Sequence, residues 1–401
     1  MMTKEFLQYA GFSAPVISSL SCLVMLYLYR RRHIQPEEKP LYRLLMAYFG
    51  TVGILWVCSM VYVYCPVLYT RINLIYYIGL FWGQVVFYQF IYTLTRHPGE
   101  RGFSPVHYLV PLVIVGVFAV WSAFVPFDVQ LRIVTSRGEI VPGYEAYSRM
   151  FTSRLFFRGV WNILYTVLAW WRLLGYRKSV SDYSANTDRS SLTWVTLLLA
   201  ISLSLVPPSL LSVMFSKQVL ISSLLLLIPQ IMLVVQHAVV CYNMAVGNFI
   251  VIFYPEETEE EIDMEEQQPD ENQDELEQKR RKFERYIHKT RPYLNPELKI
   301  TDLAVSMRTN RCTLSRFINR QFGMNFSQYI NQLRLQELKT LRNDPACARL
   351  SDEELACMSG FCNFRGYIRV KKMFGQEKKQ EKKEQETASR KAAQSHLENK
   401  E

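Results

Sequence analysis

From Phe12 to about Val240, apolar residues gather into seven stretches divided by short polar segments. The stretches lie at about 10–29, 44–64, 73–94, 107–126, 151–171, 192–213 and 219–242. Each is long enough, or nearly so, for the ~20 residues a bilayer-crossing helix needs. Seven such segments on short connections do not fit a soluble core. From Lys279 onwards the pattern changes to short helical pieces with apolar positions three and four apart. The expected architecture is all-α. A seven-span transmembrane domain (1–250) is followed by a linker (251–278), a second helical domain (279–376) and a charged tail (377–401).

Flanking charge gives an orientation. The first stretch runs straight into Arg30-Arg31-Arg32 with no small-residue cleavage site, as a stop-transfer flank does. With the N-terminus outside, the inner loops hold eleven basic residues: Arg30, Arg31, Arg32, Lys39, Arg43, Arg96, Arg101, Arg172, Arg177, Lys178 and Arg189. The outer segments hold six, or eight if Arg154 and Arg158 at the outer end of the fifth stretch are added. Basic residues near span ends stay in the cytoplasm. An odd span count then places everything after residue 242 inside.

Charge separates the remaining parts. Pro255 to Gln278 contains thirteen acidic residues and no basic one. Residues 255–275 have too little apolar surface to fold alone and read as a disordered or partly helical tether that spans tens of ångströms. Lys279 to Gln376 holds 20 Lys+Arg against 8 Asp+Glu, a balance suited to a polyanion. The eight cysteines form no CxxC pair and no Cys/His metal spacing, so they read as reduced thiols, and no metal or other cofactor is expected.

Within the spans, Arg154, Arg158 and Asn162 recur every four residues on one face of the fifth stretch, with Tyr165 near the same stripe. Charged groups in hydrocarbon are costly and often mark a ligand site. An anionic or polar ligand reaching this stripe from outside is one reading. The other is that the arginines snorkel to the outer interface while Gln84, Gln89, Gln230 and Gln236 bond helix to helix.

The C-terminal block carries the most specific pattern. In "LKITDLAVSMRTNRCTLSRFINRQFG", Leu303-Ala304 is followed ten residues later by Leu314, then by Phe317 and Ile318. That is the spacing of two helices crossing at a tight turn, with Asn310 as N-cap of the second. A similar arrangement returns in "DEELACMSGFCNFRGYIRVKKMFG", with Gly360 in the turn. A long helix, about Ser327 to Arg342, lies between the two pairs.

Residues 283 to 375 resemble the DNA-binding domain of the AraC-type (arabinose-regulator-like) transcription factors, in which one rigid helix joins two helix-turn-helix units. The matching pieces are "LAVSM…TLSRFINRQFG", "FSQYINQLRL" with Arg334, and "LACMSGF". The resemblance implies two recognition helices entering successive major grooves of one duplex. Carried over by position, it implies base reading by Cys312, Ser315 and Arg316 in the first unit, and by Phe364, Arg365 and Arg369 in the second. Arg suits that task because it can bond a guanine edge twice. Arg311, Arg320, Arg334 and Lys371 are the expected phosphate contacts, which position without specifying. Two departures stand out. Arg308 occupies the first turn where the family usually has glycine, and the run from Arg369 to Gly375 is one residue short, without an expected core aromatic.

The sequence thus points to a bacterial inner-membrane transcription regulator whose spans sense an extracytoplasmic or membrane signal. Its expected partners are promoter DNA and the bilayer, with RNA polymerase and a second copy of the chain as further candidates and the ligand unspecified. The rival readings are a transporter or enzyme with a regulatory DNA-binding module, and a structural tether of DNA to membrane. HExxH, GxSxG and GxxxxGK[ST] are all missing, so no enzyme activity is expected.

Overall fold

The computed structural model describes residues 2–30, 38–97, 100–136, 139–186, 189, 192–207, 209–210, 227–252 and 273–375. Residues 253–272 of the acidic tether, the tail 377–401 and the segment 211–226, which takes in the end of the sixth expected span and the start of the seventh, lie outside the described residues; the end of the tether, from Gln273, is helical. Among the described residues the chain is all-α, apart from one isolated antiparallel bridge pair, Ser184 with Lys299. It divides into two compact units, Met1–Tyr176 with Leu192–Phe253, and Arg177–Ser191 with Tyr254–Glu401.

The first unit contains α1 (Met2–Arg30), α2 (Lys39–Tyr64), α3 (Pro66–Leu94), α4 (Val106–Ala123), α5 (Phe127–Thr135), most of α6 (Glu145–Tyr183), α7 (Thr193–Ser202) and α8 (Leu227–Val246). Among the described residues, five helices are long and apolar enough to cross a membrane: Ala10–Tyr29 within α1, then α2, α3, α4 and α8. They form a multi-pass membrane unit. The fifth expected span falls inside α6, where Arg154, Arg158 and Asn162 lower the mean hydropathy. The sixth begins with α7, 10 residues long, which passes into a 3-10 turn at Leu203–Leu205, and its last residues, 211–213, lie outside the described residues. The outer loop expected before residue 73 shrinks to a single break. Cys65 leaves helical geometry at φ −135°, and Pro66 restarts the helix at its first position, where a missing N–H costs nothing. Apolar side chains such as Ile17, Val113 and Trp171 stay exposed, as lipid-facing residues do. Tyr69, Tyr77, Phe118, Tyr147 and Phe151 fill the interior.

In the second unit, α9 (Gln273–Thr290) is followed by α10 (Ile300–Met307), α11 (Arg311–Phe322), α12 (Phe326–Asn343), α13 (Asp352–Met358) and a last helix, α14, over 364–375. The helices α10 and α11 form the first pair. Phe283 of α9 meets Phe317 at 5.4 Å between ring centres, and Phe322 meets Tyr329 at 4.5 Å, giving this pair an aromatic core. A second core, with Leu338, Leu355, Ala356, Phe361, Tyr367 and Val370, joins α13 and α14 to the far half of α12. The long middle helix therefore has one pair at each end.

Candidate functional site

The turn between α10 and α11 is three residues long. Arg308 closes α10 in the left-handed region at φ +54°, and its N–H returns to the carbonyls of Ala304 and Val305. A side chain there costs about 1 kcal/mol relative to glycine. Asn310 caps α11, accepting the Thr313 N–H at 2.8 Å. Leu314 and Ile318 point inward, so the helical period turns Cys312, Arg316, Asn319 and Arg320 to the other side, with Ser315 at the edge and Arg311 on the first turn above Ile318. Arg311, Cys312, Ser315, Arg316, Asn319 and Arg320 line one open groove, in which Arg316, Asn319 and Arg320 are exposed. Cys312 is half-buried, and its Sγ lies 3.2 Å from Arg311 Nη2.

The second pair turns at Gly360, with φ +94°. A Cβ there would land on the Tyr293 carbonyl and the Leu294 backbone, so glycine is required by both conformation and space. Asn363 accepts the Gly366 N–H at 2.8 Å and starts α14. Arg365, Arg369 and Lys371 are exposed on that helix, and Lys371 Nζ sits 5.5 Å from the Tyr367 ring centre. Phe364 behaves differently. It is half-buried and packs against the second core, its ring 5.6 Å from that of Tyr367, so it builds the wall behind α14 instead of facing a groove.

Arg334 departs furthest from expectation. It is 1% exposed, out of reach of any phosphate. Its Nε donates to the Tyr293 carbonyl at 2.8 Å and its Nη2 to the Asn295 carbonyl at 2.7 Å. Its Nη1 donates to the Ala185 carbonyl at 3.0 Å and to Asn331 Oδ1 at 3.1 Å. Burial lowers its pKa to about 10, which still leaves it charged at neutral pH. Arg334 is a structural hub. A sequence signal existed: Ile330, Arg334 and Leu338 are four apart, which puts the arginine on the buried face of α12.

Asn186 and Glu297 lie outside every sequence expectation, and Arg189 is expected there only as an inner-loop charge. Asn186 Nδ2 donates to Glu297 Oε1 at 3.2 Å, and Arg189 Nη1 meets Glu297 Oε2 at 3.0 Å. Asp182, on the same segment, has its carboxyl pKa raised by burial, against the lowering influence of Arg311 and Lys178.

In the first unit, the α6 stripe faces inward. Arg154 is 3% exposed and lies among aromatic rings, with Cζ 4.0 Å from the centre of Phe151 and 5.1 to 5.7 Å from Tyr76, Tyr77, Tyr69 and Tyr62. Ring faces attract a cation but do not replace hydrogen bonds, and Arg154 Nε and Nη1 have no acceptor among the described residues. This rules out snorkelling for Arg154. Arg158 and Asn162 meet Gln84, Tyr48 and Trp161 around a cavity of about 40 Å³, enough for a water or a very small anion. Three of the four glutamines bond helix to helix: Gln84 Oε1 accepts Asn162 Nδ2 at 3.3 Å, Gln89 Oε1 accepts the Tyr108 hydroxyl at 2.5 Å, and Gln236 Nε2 donates to Ser202 Oγ at 3.3 Å, whereas the buried Gln230 Oε1 has no partner among the described residues.

No protein-family model matches the chain, and neither a curated protein nor a solved structure matches it.

Proposed function

We propose that the chain is a membrane-anchored, sequence-specific DNA-binding transcription regulator. The observation that carries this reading is the open basic groove of α11, on a unit that sets one helix pair at each end of a single long helix. In the proposed mechanism the chain crosses the inner membrane of a bacterium seven times, with α6 and α7 belonging to the fifth and sixth spans and the C-terminus in the cytoplasm. Arg316 reads a base edge in the first groove, with Cys312 and Ser315 beside it, and Arg365 and Arg369 approach the second. Arg311, Arg320 and Lys371 hold phosphates. Promoter DNA is the partner, and the AraC-type likeness adds RNA polymerase and a second copy of the chain. The inward stripe of Arg154, Arg158 and Asn162 receives an anionic or polar ligand from outside, since two span arginines without a carboxylate partner among the described residues call for a negative charge.

The test is binding of the full-length protein in lipid nanodiscs to DNA fragments selected by it from genomic DNA, at several salt concentrations. Arg316→Ala should cost roughly 1–3 kcal/mol and relax preference at one or two base pairs. Arg320→Ala should weaken all sequences alike and flatten the salt dependence by about one unit of slope. Equal weakening of every sequence by Arg316→Ala would make the first unit a backbone clamp and favour a non-specific tether.

A further inference from the structure

The second unit is not one continuous piece of chain. It includes Arg177–Ser191, the end of α6 and the residues after it. Four consecutive positions there, Tyr183, Ser184, Ala185 and Asn186, are each no more than 3% exposed. The Ala185 peptide is held on both sides. Its N–H donates to the Leu298 carbonyl at 3.2 Å. Its carbonyl accepts Arg334 Nη1 at 3.0 Å and Asn331 Nδ2 at 3.2 Å. Ser184 pairs with Lys299 as an antiparallel bridge, Asn325 Nδ2 reaches Ser181 Oγ at 3.4 Å, and Glu297 takes both Asn186 and Arg189. This is a built socket. Its walls are the 293–299 segment that leads into α10, and the inner face of α12.

We propose that residues 181–186, together with Arg189, are a latch through which the helix of the fifth span controls the DNA-binding unit. The proposal rests on the regulator reading above and deepens it by naming the regulated contact. The helix α6 is continuous from the Arg154/Arg158 stripe to Tyr183, so a displacement of that helix acts on the residues next to the socket. The latched form is the DNA-competent form, because the α11 groove is open while every latch contact is made. Unlatching strips Arg334 and Asn331 of the Ala185 carbonyl and leaves the Leu298 carbonyl without its donor. Buried polar groups left unpaired loosen the segment that sets α10 and hence α11.

The experiment uses the full-length chain in native membranes. Directly paired residues on antiparallel segments have Cα atoms about 4.5–5.5 Å apart, within disulfide range. The double variant Ser184→Cys, Lys299→Cys should therefore form a 184–299 disulfide under mild oxidation in most molecules, with the two single variants as controls. In cells, the cross-linked protein should occupy the same loci as its reduced form, undiminished. Ala185→Pro removes the N–H given to Leu298, and Arg189→Glu reverses the pairing with Glu297. Each should lower occupancy several-fold at every locus. Failure of the disulfide to form overturns the latch. So does loss of occupancy on cross-linking, which would make the contact a brake, and so does full occupancy by both unlatching variants. If no version occupies discrete loci, the regulator reading fails, and disulfide yield alone decides whether the socket is filled as described.

Discussion

Arg334 Nη1 donates to the carbonyl of Ala185 at 3.0 Å across 149 residues of sequence, and the same guanidinium binds the carbonyls of Tyr293 and Asn295. Every one of those acceptors is main chain, so no other side chain of that length replaces the fork. Arg334→Met should cost roughly 3–5 kcal/mol by leaving buried carbonyls unpaired. The measurement is hydrogen exchange on the full-length protein, where protection across 283–370 should fall. Unchanged protection with a loss of about one unit of salt slope in DNA binding would instead make Arg334 a phosphate contact.

The two turns should respond in opposite directions to substitution. Arg308 sits at φ +54° with a side chain, so Arg308→Gly should stabilise the second unit by roughly 0.5–1 kcal/mol. Gly360 sits at φ +94° against the Tyr293 carbonyl, so Gly360→Ala should destabilise it by roughly 2–4 kcal/mol. Denaturant titration followed by a probe in α12 reads both. Destabilisation by Arg308→Gly would show that the arginine side chain contributes more than its backbone conformation costs.

At the loop after α3, Arg172 binds Glu100 with both terminal nitrogens, at 2.5 and 2.8 Å. The hydrogen bonds from Arg172 are the main cause that lowers the Glu100 pKa from 4.5 to about 2. A lowered carboxylate pKa gives stability that is complete above about 4.5 and is lost as pH falls through about 2. Glu100→Gln should therefore cost roughly 1.5–3 kcal/mol at pH 7, with the gap to the wild type closing progressively below pH 4.5. Thermal unfolding in detergent over pH 7 to pH 2.5 measures the gap. A gap independent of pH would show that the pair contributes packing alone.

What the sequence makes legible follows from which signals side chains carry. Asn310 as a cap, Leu314 and Ile318 as core and Gly360 as a turn all show in residue type and spacing, and the structure places them so. The latch has no such signature. Ala185 and Leu298 bond through main-chain atoms, and Arg177, Lys178 and Arg189 look like any basic inner loop. The inward turn of Arg154 was open between two readings, because a helical stripe says which residues share a face but not what that face meets. Spacing likewise places Phe364 beside Arg365 without showing that its ring turns into the second core.

The reading as a regulator is tested most directly by genome-wide DNA occupancy of the intact membrane protein in living cells, alongside the Arg316→Ala variant. The predicted result is a small set of discrete sites upstream of genes sharing one sequence motif, with the motif relaxed at one or two positions in the variant. Uniform low occupancy that is unchanged by Arg316→Ala, or none above background, would contradict it.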